Sequence, residues 1–296
     1  MRTLKLVSIL VISLAFAALP VLSQRNFDDV TIEIVPVAGN VSMLLGSGGN
    51  IGVSAGADGI LIIDDQFAPL AEKIKAALGE ISTGDLEFVL NTHYHGDHTG
   101  GNEVFGLEAL IVAHENVLVR LSSPQTVRGN TTPAAPVQAR PVITFDESMS
   151  IHFNGEEISL FHVPAGHTDG DSVIYFHDSN VVHMGDHFFA GRFPFVDLGA
   201  GGTAQGMAAN VGRVLERAPD DVKIIPGHGP LSTKADLQLF HDMLQDTIET
   251  VQAGIDGGKS ADEIKAAGLS DRWDGWGSGF INEEVWIDTI HQSLTQ

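Results

Sequence analysis

The chain has 296 residues, 43% hydrophobic and 18% charged, with 33 glycines and no cysteine. That balance is the one of a globular protein with a buried core, while a formal net charge of −22 at pH 7 argues against a phosphate backbone or an anionic lipid surface as partner. Without cysteine there are no disulfides, no thiolate metal ligands and no cysteine nucleophile.

Residues 1–23 carry Arg2 and Lys5, then an apolar run over 6–22 that ends in Val-Leu-Ser before Gln24. A short basic start, an apolar stretch and small residues at a cut site form a secretory signal. We therefore expect export to the periplasm or the medium, a mature domain over 24–296, and no stable membrane insertion once the signal is removed.

β-rich runs at 31–37, 41–45, 51–53 and 59–64, separated by turn residues such as Gly46-Ser47-Gly48-Gly49, read as hairpins. Residues 69–78 place Leu70, Ile74, Ala77 and Leu78 at helical spacing, and 86–90 is a strand of the buried type. This strand runs straight into "THYHGDHTGGN" at 92–102, which crowds His93, His95, Asp97 and His98 together. Imidazoles and carboxylates packed this tightly repel one another unless a ligand rewards them.

A strand at 110–113 and a helix at 115–121 precede a stretch rich in Pro, Thr and polar residues, 122–141, expected to be a long surface loop or lid. Strands follow at 142–145, 149–153, 157–163, 172–176 and 181–184, then a helix at 203–216 and a strand at 222–225. Helices at 232–253, 261–267 and 282–294 close the chain. Each half supplies strands and then helices, which suits two sheets packed face to face with helices outside.

Three further clusters repeat the theme of the first: "PAGHTDGDS" at 164–172, "HMGDHFF" at 183–189 and "IIPGHG" at 224–229. In each, a β-type run ends in His or Asp beside Gly. Loops at strand ends are where folds assemble sites, and glycine lets the backbone come close to a ligand. The four endings point to one convergent metal site. Neutral imidazoles and carboxylates suit zinc, and such a set also accepts iron or manganese.

The ordered set, spanning residues 32–231, resembles the metallo-β-lactamase superfamily. The resemblance implies an α/β (α+β) fold, an αββα sandwich of two mixed β-sheets face to face with helices on both outer sides. It implies that His93, His95 and His167 bind a first zinc, that Asp97, His98 and His228 bind a second, and that Asp186 bridges the two or binds the second. Asp97 would also orient the nucleophile, and Asp64, at the end of the early strand, would at most orient a ligand. The implied reaction is attack by a metal-bound hydroxide on a small-molecule carbonyl substrate: an ester, lactone, thioester or amide. Asp186 stands where the commonest β-lactamase subclass has cysteine, and Arg192 is the only nearby cation where that subclass has a lysine. Aspartate is the choice of glyoxalase-II-like thioesterases and lactonases, so β-lactam hydrolysis is expected to be weak. An iron-dependent redox enzyme of the same fold, similar to sulfur dioxygenases, and a non-catalytic metal or ligand binder are the alternatives. The sequence carries no signal for oligomeric state.

His162, His183 and His187 lie beside the motifs, and strand alternation turns His162 and His183 toward structural roles. His114 has no motif around it and receives no role. Gly46 to Gly52 reads either as a flap over the groove or as a plain turn. Phe188, Phe189, Phe193 and Phe195 could line a pocket or fill the core, and Trp273 and Trp276 could border the groove or pack behind it.

Overall fold

The computed structural model describes residues 26–296; the expected signal segment at 1–23 lies outside them. β1 (Glu33–Ala38), β2 (Val41–Leu45), β3 (Ile51–Gly56) and β4 (Gly59–Ile63) form an antiparallel meander. The chain then crosses through α1 (Ala71–Ile81) to β5 (Leu86–Leu90), and through α2 (Gly96–Thr99) and α3 (Asn102–Phe105) to β6 (Leu110–His114). After α4 (Glu115–Leu121) comes a small hairpin, β7 (Gln125–Val127) and β8 (Asn130–Thr132), and then β9 (Ile143–Phe145). The pairs β4–β5, β5–β6 and β6–β9 are parallel, so the seven-stranded sheet is mixed. The stretch 122–141, expected as a loop or lid, thus holds a hairpin and a 3-10 turn at Val137–Ala139.

The second sheet repeats the plan. β10 (Ser148–Phe153), β11 (Glu156–His162), β12 (Ser172–Phe176) and β13 (Val181–His183) are antiparallel neighbours. α5 (Ala204–Arg217) carries the chain to β14 (Lys223–Ile225), parallel to β13, and β15 (Ser232–Thr233) completes six strands. α6 (Lys234–Asp256), α7 (Ala261–Ala267) and α8 (Glu283–Thr295) follow. Thr233 caps α6 in a capping box with Asp236, which fixes where the strand stops and the helix starts.

Burial divides the apolar residues into three layers. Met43, Leu61, Ile63, Leu90 and Val112 of the first sheet pack against Ile158, Leu160, Ile174, Phe176 and Val181 of the second. On the outer face of the first sheet, Ile74, Ala77 and Leu78 of α1 cover Val53, Ile60 and Ile62. On the outer face of the second, Met207, Val211, Phe240, Leu244, Trp286 and Ile290 cover Val182 and Ile224. β4 is buried along its whole length, which is why it reads as an unbroken apolar run rather than an alternating one. The architecture is the expected αββα sandwich. Among the described residues no helix is long and apolar enough to cross a membrane.

Candidate metal centre

The loops after β4, β5, β11, β13 and β14 meet at one edge of the sandwich, and every residue of the expected set is there. His93 and His95 follow β5, and Asp97 and His98 sit on the single turn of α2. The crowding that looked costly in sequence is the price of starting a one-turn helix at the end of a buried strand. The second sheet supplies His167 after β11, Asp186 from the 3-10 turn Gly185–His187 after β13, and His228 after β14.

Each buried imidazole has one ring nitrogen held from outside the cluster. His98 Nδ1 lies 2.7 Å from Asp64 Oδ2, His167 Nδ1 2.7 Å from the Phe195 carbonyl oxygen, and His95 Nε2 3.0 Å from Asp197 Oδ2. His93 Nδ1 lies 3.0 Å from Thr92 Oγ1, whose own hydroxyl donates to Asp64 Oδ2 at 2.7 Å and so is left to accept. Acceptors at these nitrogens fix the tautomers and leave the opposite nitrogens as bare lone pairs. His93 Nε2, His95 Nδ1, His98 Nε2 and His167 Nε2 therefore all face inward.

The inward atoms fall into two groups with separations up to 4.8 Å: His93, His95, His167 and Asp186, and Asp97, His98 and His228. Asp186 spans both. Its Oδ2 is 3.4 Å from His167 Nε2 and 3.8 Å from His93 Nε2, and its Oδ1 is 3.1 Å from His98 Nε2 and 3.3 Å from His228 Nε2. His93 Nε2 and Asp186 Oδ1 are nonetheless buried with no hydrogen-bond partner, and the short distances around Oδ1 lack hydrogen-bond geometry. These atoms aim at a shared point rather than at one another. A buried unpaired acceptor costs about 1–3 kcal/mol, and a cation at the focus offsets several of them at once. The donor set of imidazole nitrogen and carboxylate oxygen fits a divalent metal of the zinc type.

Titration behaviour agrees. Burial, then the neighbouring His98 and His167, hold His93 well below the usual imidazole range, and burial takes His167 to about 4. Both imidazoles are neutral at physiological pH. Burial also works against ionised Asp186, yet His98, His228 and His167 outweigh it and keep the carboxylate charged. Burial lowers His98 too, but Asp186, Asp64 and Asp97 together lift it well above the ordinary value, a measure of how much negative charge converges there.

The backbone is shaped to this closeness. Asp64 takes a φ of 63°, a left-handed conformation that a non-glycine residue keeps only under constraint, and its carboxylate accepts from Thr92 N at 2.8 Å. A Cβ at Gly227 would collide with Asp186 Oδ1, and one at Gly49 with the ring of His98. Gly49 N also donates to Asp97 O at 2.9 Å, while Asn50 Nδ2 donates to Pro226 O at 2.9 Å and to Gly229 O at 2.8 Å. The Gly46 to Gly52 turn is thus pinned between the two sheets rather than hung over the groove.

A cleft of about 800 Å³ opens over His95, Asp97, Asp186 and His228. Phe189, Phe193 and Phe195 line it as the pocket alternative expected, whereas Phe188 belongs to the core. Trp273 and Trp276 pack behind the wall, and the same segment reaches the cleft through Phe280 and Ile281. His183 Nε2 bonds Asn50 O at 3.1 Å, His187 Nε2 bonds Asn210 at 3.1 Å, and His162 stacks on His114 at 3.7 Å, so these histidines serve the structure. Asp197 and Tyr94 are functional neighbours that sequence reasoning missed, because a lone Asp in "FPFVD" has no spacing to mark it.

Fold and cluster together define an αββα protein with a two-part histidine and aspartate centre. The chain belongs to the metallo-beta-lactamase superfamily, whose family model matches residues 52–228. Hydroxyacylglutathione hydrolase of Methylococcus capsulatus is 30% identical over 152 residues, 48% of this chain and 48% of that protein. The protein of that name from Brucella ovis is 31% identical over 180 residues, 57% of this chain and 61% of that one. The chain thus spans about half to three fifths of the length of these relatives. Among solved structures, the metallo-beta-lactamase from Pontibacter korlensis aligns with a TM-score of 0.58 at 18% identity, covering 73% of this chain and 100% of that one. The inverting sec-alkylsulfatase Pisa1 from Pseudomonas sp. aligns with a TM-score of 0.66 at 16% identity, covering 88% and 50%. These structural likenesses establish the fold.

Proposed function

We propose that this chain is an exported, zinc-dependent hydrolase with a dinuclear centre that cleaves an ester, lactone, thioester or amide bond of a small molecule, a thioester above all. The observation that carries this reading is the set of four tethered imidazoles whose inward nitrogens gather around Asp186, those of His93, His98 and His167 directly at its two oxygens. His93, His95 and His167 would hold one ion, Asp97, His98 and His228 the other, with Asp186 between them. Bound zinc supplies Lewis acidity and acidifies a bound water to a pKa of about 7.

The chain's own residues do the rest. Asp97, one third exposed at the cleft floor, turns a carboxylate oxygen toward His228 Nε2 at 3.5 Å, where it orients the attacking water and takes up its proton. The aromatic wall of the cleft excludes bulk water from the scissile bond. The shared name of the relatives, hydroxyacylglutathione hydrolase, supports a thioester. The missing cysteine and lysine set β-lactams apart as poor substrates. Residues 1–23 would direct export, and mass spectrometry of periplasmic protein beginning near Gln24 checks that part.

The test is metal analysis of the purified protein together with steady-state hydrolysis of a thioester, a lactone and a chromogenic cephalosporin, on zinc-loaded and on chelated samples. We expect two zinc ions per chain, turnover that chelators abolish, and a thioester faster than the cephalosporin. Stoichiometric iron with a visible absorption band and no carbonyl turnover would overturn the proposal in favour of redox chemistry.

A further inference from the structure

We propose that the cleft selects an anionic substrate with a flat apolar body, its carboxylate held by Arg128 and Arg192 and its body laid along Phe280 and Phe195. This rests on the hydrolase reading above and names the substrate class for it.

The chain is strongly acidic, with 16 basic against 38 acidic residues, yet Arg120, Arg128 and Arg192 all line this one cleft. Of the acidic side chains on its wall, Asp97 and Asp186 belong to the metal centre, which leaves Glu103. Arg120 is taken: it grips Asp169 with Nε at 3.1 Å and Nη2 at 2.6 Å. Arg128 and Arg192 form no ion pair among the described residues. Guanidinium groups left without a carboxylate in a protein so rich in them are available to one brought by a ligand, and their planar fork suits it.

Both arginines stand beside the same short segment, Gly279 and Phe280. Arg128 and Gly129 form the tip of the β7–β8 hairpin with φ values of 49° and 79°, a turn in which asparagine is the ordinary first residue. Arginine in a left-handed conformation is strained, and what it gains is contact: its guanidinium lies 4.4 Å from the centre of the Phe280 ring. From the other side the stem of Arg192 lies against Gly279, where an added Cβ would stand 3.3 Å from Arg192 Cδ. Arg128 thus sits on the ring of Phe280, and the stem of Arg192 lies against the residue before it; Phe280 shows 68% of its surface.

From there an aromatic row runs inward. Phe280 meets Phe195 edge-on at 6.2 Å, and Phe195 lies 5.6 Å from the ring of His95 and 5.7 Å from that of His167. A substrate with its charge at the arginines and its ring along Phe280 and Phe195 would present its scissile carbonyl at the metal centre. A hydrophilic leaving group would leave that row wet.

The experiment compares two p-nitrophenyl esters with the same aromatic body, the monoester of para-phenylenediacetic acid and its methyl-capped neutral counterpart, on the zinc-loaded full chain. We expect kcat/KM to favour the anion by about tenfold or more at low ionic strength, mostly through KM, with the preference shrinking in ~0.5 M salt. In the Arg128→Gln, Arg192→Gln double variant the ratio should approach one. A ratio near one in the wild type, or an unchanged ratio in the double variant, would refute the proposal. Calorimetry with phenylbutyrate and with phenylbutanol decides it independently of turnover. The acid should bind the wild type about tenfold more tightly than it binds the double variant, and Phe280→Ala should weaken acid and alcohol alike. Equal affinity of the acid for wild type and double variant would place its carboxylate on the metal and refute the arginine pair. Failure of both esters, together with the thioester and the lactone, to hydrolyse would remove the hydrolase reading, while the calorimetry would still decide the selection of an anion.

Discussion

Asp197 Oδ2 accepts two hydrogen bonds at once, from the Tyr94 hydroxyl at 2.7 Å and from His95 Nε2 at 3.0 Å. Burial alone would raise the Asp197 pKa, but the bonds from His95 and Tyr94 outweigh it and keep the carboxylate ionised. Behind Tyr94 stands Arg120, its guanidinium 5.6 Å from the ring. The carboxylate therefore sets the tautomer and the plane of His95 and takes no direct part in the cluster. Asp197→Ala should lower zinc affinity by about 10–100-fold, the usual cost of losing such a partner, with Tyr94→Phe milder. A competition titration against a chromogenic chelator measures both, and wild-type affinity in Asp197→Ala would show that His95 is positioned by other means.

Asp97→Ala addresses the second group of candidate ligands. It removes the carboxylate, one third exposed, beside His98 and His228 and leaves the first group whole. Zinc content should drop from two ions toward one and turnover should fall ~100-fold or more, with the circular dichroism spectrum unchanged. Near-normal turnover would exclude a mechanism that needs both ions.

Gly227→Ala and Gly79→Ala form a matched pair. The first sends a methyl group into Asp186 Oδ1 and the Gly185 carbonyl, so zinc binding and activity should be lost together. The second lies inside α1 with open space around it, where alanine should raise stability by about 0.5–1 kcal/mol and leave activity alone. Chemical denaturation and zinc analysis read both outcomes.

His183 gives the pH dependence a sign. Burial holds its pKa down to about 4, and both ring nitrogens are used in the neutral form: Nε2 toward Asn50 O, and Nδ1 accepting from Gly185 N at 3.2 Å. The unfolded chain takes up this proton near pH ~6.5 and the folded chain only near 4, so acid favours unfolding. Stability should fall by about 1.4 kcal/mol per pH unit for this one group as pH drops through that window, and be indifferent to it above. His183→Gln should lessen the slope of stability against pH in chelated protein, measured by urea denaturation between about pH 7 and 5. An identical slope in the variant would mean that the residue titrates freely.

That the seven candidates gather at one edge was legible because a shared site calls for specific residue types and the fold places them at strand ends next to glycine, both of which leave marks in the chain. The strands of the sandwich were legible for a related reason: β4 is covered on both faces, so its apolar run is unbroken, and β5 ends in the buried pair Val89 and Leu90. The hairpin β7–β8 was not, because Gln125 to Thr132 is polar and exposed on nearly every side and carries no alternation. Asp197 was hidden differently. Its role exists only because the loop after Phe195 folds back on His95 across 102 residues of chain, a relation that no local spacing records.

The cluster is assembled from two halves: His93, His95, Asp97 and His98 hang from β5, while His167, Asp186 and His228 hang from the other sheet. Between those sheets the interior contact is apolar, built from side chains such as Leu61 and Leu160, while directional bonds cross at the edge: Asn50 Nδ2 donates to Pro226 O and Gly229 O, and Ser172 N to Thr92 O. A slide of one layer over the other would strain those crossing bonds and carry four of the candidate ligands past the remaining three. The cluster therefore acts as a vernier for the alignment of the two layers, set at the edge where the crossing bonds hold them in register.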